Sequence, residues 1–243
     1  MPSEFKLMRT GRGVAMAEML FWGAAILALI FGGNLATRYR DKKSPFYLWW
    51  TLSFALYVIA FAMEALTVAT NWHSVWQYQL YIVASAGLVG AMSVGTTYLA
   101  FPKSKVALGY AVYFVLVECL LVIFTFAAPP VLHGSWQALN SGKNAIVGST
   151  QVFYLLLAAV GGPIVVIGAV WSWWKSRRHY NLLIALGALI PSSAGTMASQ
   201  GIGMAIFPIF NIVGLVLIFV GYVYSRASNQ GRTRHEVDEA REA

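Results

Sequence analysis

Three glutamates, Glu18, Glu64 and Glu118, interrupt long apolar runs in this chain, and no lysine or arginine stands inside those runs to pair with them. A charge in hydrocarbon is costly, so such carboxyls face the interior of a bundle, pair with another polar group, or carry a proton. The chemistry open to them is therefore proton binding or the anchoring of a polar ligand. Glu118 lies eleven residues before Pro129, about 16 Å deep at the rise of a helix and close to a bilayer midplane. Glu64 lies six residues before Thr70, which is about 9 Å on the same rise. Glu18 stands only about 6 Å from the start of its run, within reach of the surface by snorkelling.

Helical spacing gives each deep carboxyl a set of neighbours. Tyr110, Phe114 and Thr125 share a face with Glu118 at i−8, i−4 and i+7. Tyr57, Phe61 and Thr67 form a similar stripe with Glu64. A third group follows from Pro191-Ser-Ser-Ala-Gly195, where a proline removes one backbone bond in mid-helix and small polar residues surround the break. Thr196, Ser199 and Gln200 extend that wall. The candidate ligand- or proton-binding residues are thus Glu118, Glu64, Tyr110, Thr125, Ser192, Ser193 and Gln200, with Pro191 and Gly195 as a hinge. Each has a structural reading beside the functional one. A glutamate can be satisfied by a hydroxyl from the next helix, and small residues serve close helix packing. Asn34 and Asn211 read as interhelical hydrogen bonds rather than ligand contacts.

Several chemistries are excluded or disfavoured by what the runs lack. No lysine lies within any of them, the last included, so retinal cannot be held as a Schiff base. His73, His133, His179 and His235 fall at run edges, in loops or in the tail, which disfavours a bis-histidine haem. A phosphate-binding glycine loop, an H-E-x-x-H pair and a serine nucleophile elbow are all missing. No catalytic role, cofactor or metal is expected. Met16, Met19, Met63 and Met204 bring Cu(I) to mind, but methionine in a span mostly packs. The single cysteine, Cys119, excludes an internal disulfide. A lipid- or quinone-handling enzyme ranks behind every non-catalytic reading, because no catalytic pair is visible.

The elements that must position these residues follow from hydropathy. The chain is 58% hydrophobic and only 11% charged, with mean hydropathy +0.64, far from a soluble domain. A helix crosses a hydrocarbon core with about 20 apolar residues. Seven segments qualify: about 14–37, 46–70, 77–100, 105–128, 150–174, 181–200 and 206–225. The first is too long for a signal-peptide core and reads as a span. Gln200-Gly-Ile-Gly203 reads as a tight turn. The expected fold is all-α: a polytopic seven-helix transmembrane bundle over 14–225, with an outer tail (1–13) and a cytoplasmic tail (226–243).

Charge orients the bundle. Thirteen of the 17 basic residues fall on one side: Arg38, Arg40, Lys42, Lys43, Lys103, Lys105, Lys175, Arg177, Arg178, Arg226, Arg232, Arg234 and Arg241. Only Lys6, Arg9, Arg12 and Lys143 fall on the other. Basic loops stay cytoplasmic, so the N-terminus is expected outside and the C-terminus inside. Trp and Tyr gather at both sets of run ends, as interfacial rings do. The +8 charge therefore sets topology and attracts anionic headgroups; nucleic acid is not an expected partner. The segments also admit a 3+1+3 arrangement. Each triplet has a basic loop after its first helix (Arg38–Lys43 and Lys175–Arg178) and then a tyrosine, Tyr47 or Tyr180.

These features point to a multi-pass protein of the cell membrane that binds, senses or transports a small ligand or proton. Its outward-facing pocket is expected between spans two, four and six. The alternative is a membrane-anchoring or assembly subunit, meeting a partner through the long connection 129–149 or the C-terminal tail. The orientation has a direct check in a Cys119→Ser background. Lys143→Cys should react with a membrane-impermeant maleimide on intact cells, and Lys103→Cys only after permeabilisation. The reverse pattern would invert the bundle.

Overall fold

In hydrocarbon every backbone N–H and C=O must be satisfied within the chain, and a helix does this segment by segment. The structure, a computed structural model, describes residues 11–70, 74–132, 146–199 and 207–242, without the side chains of 11–14, 69–70, 176, 194–199 and 226–242. Among them are seven helices and no strand: α1 Gly11–Lys42, α2 Pro45–Thr70, α3 Val75–Ala100, α4 Lys105–Ala127, α5 Gly148–Ser176, α6 Tyr180–Ser199 and α7 Phe207–Glu242. Six are long and apolar enough to cross a membrane. The exception is α6, whose described apolar part is Tyr180–Ser193. Hydropathy located every helix, but not every end. α1 and α7 continue helically past their apolar stretches, through Arg38–Lys42 and beyond Ser225. Hydropathy reports where hydrocarbon stops, whereas a helix continues as long as its backbone bonds do. The proposed turn at 200–203 and most of the connection 129–149 lie outside the described residues.

Consecutive helices pack on one another in two triplets, α1–α2–α3 and α5–α6–α7. The triplets meet where α3 lies along α5 and where α1 lies along α7. α4 packs on α3 and α5. α3 is the most enclosed helix, with 72% of its apolar window buried and no other window above 50%. Its glycines account for that. A Cβ on Gly87, Gly90 or Gly95 would meet Glu118, Phe114 or Trp50, so α2 and α4 press against its backbone. On its far side, Gly161 and Gly168 of α5 receive Val89, Ser93 and Thr96. Close approach of this kind substitutes for the hydrophobic effect, which does not drive helices together in lipid.

A second close seam joins α6 and α7. A Cβ on Gly214 would stand 2.5 Å from the Gly187 carbonyl oxygen, and one on Gly187 would stand 2.6 Å from the Gly214 carbonyl. Gly187 is four residues before Pro191, so the proline cannot donate to that carbonyl. The oxygen left without its helical donor lies against Gly214. α6 runs through Pro191 without a break, and Pro191 itself packs on Gly214.

Among the described residues, three that are not glycine adopt the left-handed conformation: Lys43, Lys103 and Arg177, with φ of 50°, 62° and 54°. Each sits in a basic loop, and two of them end a helix by the same device. The Lys43 N–H bonds the Tyr39 carbonyl at 2.8 Å, and the Arg177 N–H bonds the Trp173 carbonyl at 2.7 Å. Lys43 Nζ then lies over the Tyr39 ring at 5.4 Å, and the Arg177 guanidinium over Trp173 at 5.9 Å. A cation at a helix C-terminus also suits its dipole. The first loops of the two triplets therefore share a geometry as well as a composition.

The α6–α7 seam is expected to be the least tolerant of added volume. Gly214→Leu should lower the thermal midpoint of the detergent-purified protein by overpacking, at about 1–3 kcal/mol. Gly33→Leu, with open space around its Cα, should leave the midpoint within error. Equal midpoints for the two variants would refute the close seam.

Candidate functional site

The stripe that spacing assigned to α4 is the face that α4 turns to α3. Tyr110 meets Ser93, with hydroxyl oxygens 2.8 Å apart. Phe114 covers Gly90, and the Glu118 carboxyl lies against Gly87 and Leu56. At the far end Gln79 Nε2 donates to the Thr125 carbonyl at 2.9 Å. The numbers in these pairs rise on one helix as they fall on the other, which is an antiparallel register held over four turns or more. Phe114 also meets Trp49 of α2 edge-on, at 5.5 Å between centroids. The α4 stripe thus fills the groove between α2 and α3.

Glu118 is half-buried. Its Oε2 and the Thr125 hydroxyl oxygen are shielded from solvent and have no hydrogen-bond partner among the described residues. A buried polar atom in that state costs free energy unless a ligand or water satisfies it.

Glu64 is more enclosed, at 1% exposure. Tyr57, Phe61 and Thr67 of its stripe are buried with it. Glu64 and Tyr81 of α3 share a hydrogen bond, and Tyr154 of α5 lies beside Ser85 of α3, whose hydroxyl donates to the Ile82 carbonyl at 3.1 Å. Tyr57 donates across to Asn211 Oδ1 of α7 at 3.2 Å, while Asn211 Nδ2 donates to the Phe207 carbonyl at 2.8 Å. The reading of Asn211 as an interhelical contact is met here. Around Tyr57 the rings of Phe21, Phe31, Phe54, Phe61, Phe207 and Phe219 fill the space between α1, α2 and α7. This is a packed aromatic column.

The two glutamates stand at different levels. Glu64 is level with Tyr81, and Glu118 with Gly87 six residues further along α3, about 9 Å on the helical rise. They do not form one site.

The wall expected from spans two, four and six is not assembled. α6 packs on α5 and α7, and among the described residues neither α2 nor α4 packs on it. The reason is α3, which occupies the interior position that the sequence reading left to a cavity. Ser192 and Ser193 are exposed, and their hydroxyls bond the Ala188 and Ile190 carbonyls of their own helix at 2.8 and 2.7 Å. Gly195 lies in α6, whereas Gln200 is outside the described residues. Glu18 is half-buried near the start of α1. A surface recess of about 410 Å³ is lined by Thr37, Arg40 and Asp41 at the other end of that helix.

Sequence reasoning missed the contribution of α3: Gln79, Tyr81, Ser85, Gly87 and Ser93. A signal was present. A run carrying polar and small residues on every side, rather than on one stripe, marks a helix enclosed by others.

No protein-family model, no curated protein and no solved structure matches the chain. The class rests on the helices themselves: this is a multi-pass helical membrane protein. Tyr57→Phe should cost about 0.6 kcal/mol of stability, the usual worth of a hydrogen bond between membrane helices. A thermal melt of the purified variant reads that loss. No change would remove the Tyr57–Asn211 bond from the account.

Proposed function

We propose that the protein is a non-catalytic component of the cell membrane that binds a small polar ligand or a proton at Glu118, in the groove where α4 meets α2 and α3. The carrying observation is the Glu118 carboxyl itself. It is held at mid-helix against the bare backbone of Gly87, with Oε2 shielded and without a hydrogen-bond partner among the described residues. A merely structural carboxyl would be satisfied by a neighbouring hydroxyl, as the Ser93–Tyr110 pair is. Glu64, Tyr110 and Thr125 flank the site above and below. The orientation, N-terminus outside and C-terminus cytoplasmic, is supported by thirteen of 17 basic residues on one side.

The test is covalent. A hydrophobic carbodiimide couples to carboxyl groups in apolar surroundings. Treated protein should carry the adduct at Glu118, found by peptide mass spectrometry, and Glu118→Gln should lack it. A folded protein that stays unlabelled at Glu118 would reduce this residue to packing.

The subunit reading has one observation of its own: α7 continues as a helix to Glu242, past the apolar stretch that ends at Ser225. Such an extension suits a contact with a partner outside the bilayer. A stoichiometric companion on purification from native membrane would favour it.

A further inference from the structure

Apart from the Tyr57–Asn211 pair between α2 and α7, several buried polar groups of this bundle form a row along α3. From its N-terminal end the order is Gln79 with the Thr125 carbonyl, then Tyr81 with Glu64. Next come Ser85 with Tyr154, Gly87 with Glu118, and Ser93 with Tyr110. Thr97 follows, donating to the Ser93 carbonyl at 2.9 Å. Successive rungs are two to six residues apart on α3, so none is more than about 9 Å from the next along the axis. The row draws on α4, α2 and α5 and then returns to α4, and these are the helices packed on α3. Hydroxyl and carboxyl groups make up most of it, and each can both donate and accept. No basic side chain enters it. Tyr110 lies five residues inside Lys105, where α4 begins, so the row runs nearly to the basic end of the bundle.

We propose that the species handled by this protein is the proton, and that it moves along α3 by way of Glu64, Glu118 and the Ser93–Tyr110 pair. This rests on the reading of Glu118 as a site and names its substrate. A metal ion does not suit the row, because its ligands must converge within about 2–2.6 Å of one point. The two carboxyls stand at levels too far apart for that. An organic ligand would need a pocket of about 300 Å³ or more, whereas Glu118 is packed on Gly87 and Leu56; a single water needs only about 30 Å³. A proton needs only a chain of exchangeable groups.

Rungs are further apart than one hydrogen bond, and the Phe114 ring lies on Gly90 between Glu118 and Tyr110, so the route requires that ring to swing aside while single waters bridge the rungs. In each transfer an O–H bond breaks on the donor acid. The bridging water takes that proton and gives up one of its own, and an O–H bond forms on the next carboxylate. Tyr81 and Tyr110 pass a proton in the same way and end neutral. One proton moves, no electron is exchanged, and the carboxyls are restored when the next proton enters.

The full chain reconstituted in liposomes with a trapped pH-sensitive dye tests this under a potassium diffusion potential. Wild-type vesicles should acidify faster than protein-free ones. Glu118→Gln and Glu64→Gln should each slow the flux about tenfold or more, and the double variant no further, because both lie on one route. Tyr110→Phe should slow it and Glu18→Gln should not. Carbodiimide-treated wild type should behave as Glu118→Gln, which keeps the test alive if a variant fails to fold. Wild-type vesicles no more permeable than protein-free ones would overturn the route, as would full flux in Glu118→Gln. Labelling of Glu118 without flux would leave the ligand site standing and remove the proton. Neither labelling nor flux would remove both.

Discussion

The rest of the bundle depends on how closely other helices approach the backbone of α3. In lipid, apolar side chains gain little by meeting one another, since the surrounding tails are as apolar as they are. Helices are held instead by dispersion contacts and hydrogen bonds at short range. α3 supplies the surface for both, with Gly87, Gly90 and Gly95 facing α2 and α4, and Ser93 and Thr96 against the glycines of α5. Larger residues at those points would push the neighbours outward. The Ser53 hydroxyl, which donates to the Leu88 carbonyl at 2.7 Å, would then lose its reach to α3.

The same closeness governs the carboxyls. Glu118 can lie beneath the surface of the bundle only because Gly87 has no side chain, and Glu64 only because Tyr81 comes near enough to share a hydrogen bond. Without a lysine or arginine inside any span, neither can form an ion pair within the apolar runs. Glu64 relies instead on the Tyr81 hydroxyl, whereas Glu118 Oε2 has no partner among the described residues. An ion pair would hold a carboxylate in its charged form, and neither glutamate has one within the apolar runs.

The halves of the bundle are fastened differently. α1, α2 and α3 are joined by extensive packing, and α6 and α7 by a glycine seam in which the carbonyl deprived by Pro191 lies against Gly214. Between α1 and α7 the contact is thinner and mostly aromatic: Phe21 with Phe207, and Phe31 with Phe219 and Tyr222. The Tyr57–Asn211 hydrogen bond joins α2 to α7 beside that column. The proline that the sequence suggested as a hinge is thus part of a tight interface rather than a gap in it.

Much of this was legible in the residues. Apolar run length located the helices, because hydrocarbon thickness sets a length that composition must match. Period 3.6 placed Tyr110, Phe114, Glu118 and Thr125 on one side of α4, and that side is the one packed against α3. What the sequence could not supply was the partner. Spacing along one helix gives a face but not the helix it meets, so the cavity expected between α2, α4 and α6 dissolved once α3 took the interior. Ser192 and Ser193 illustrate the same limit, since their hydroxyls had a nearer acceptor in their own backbone. Length, period and charge are local properties and survive in a linear reading. Which glycine receives which carboxyl depends on contacts between residues more than thirty positions apart, and only the packed bundle decides those.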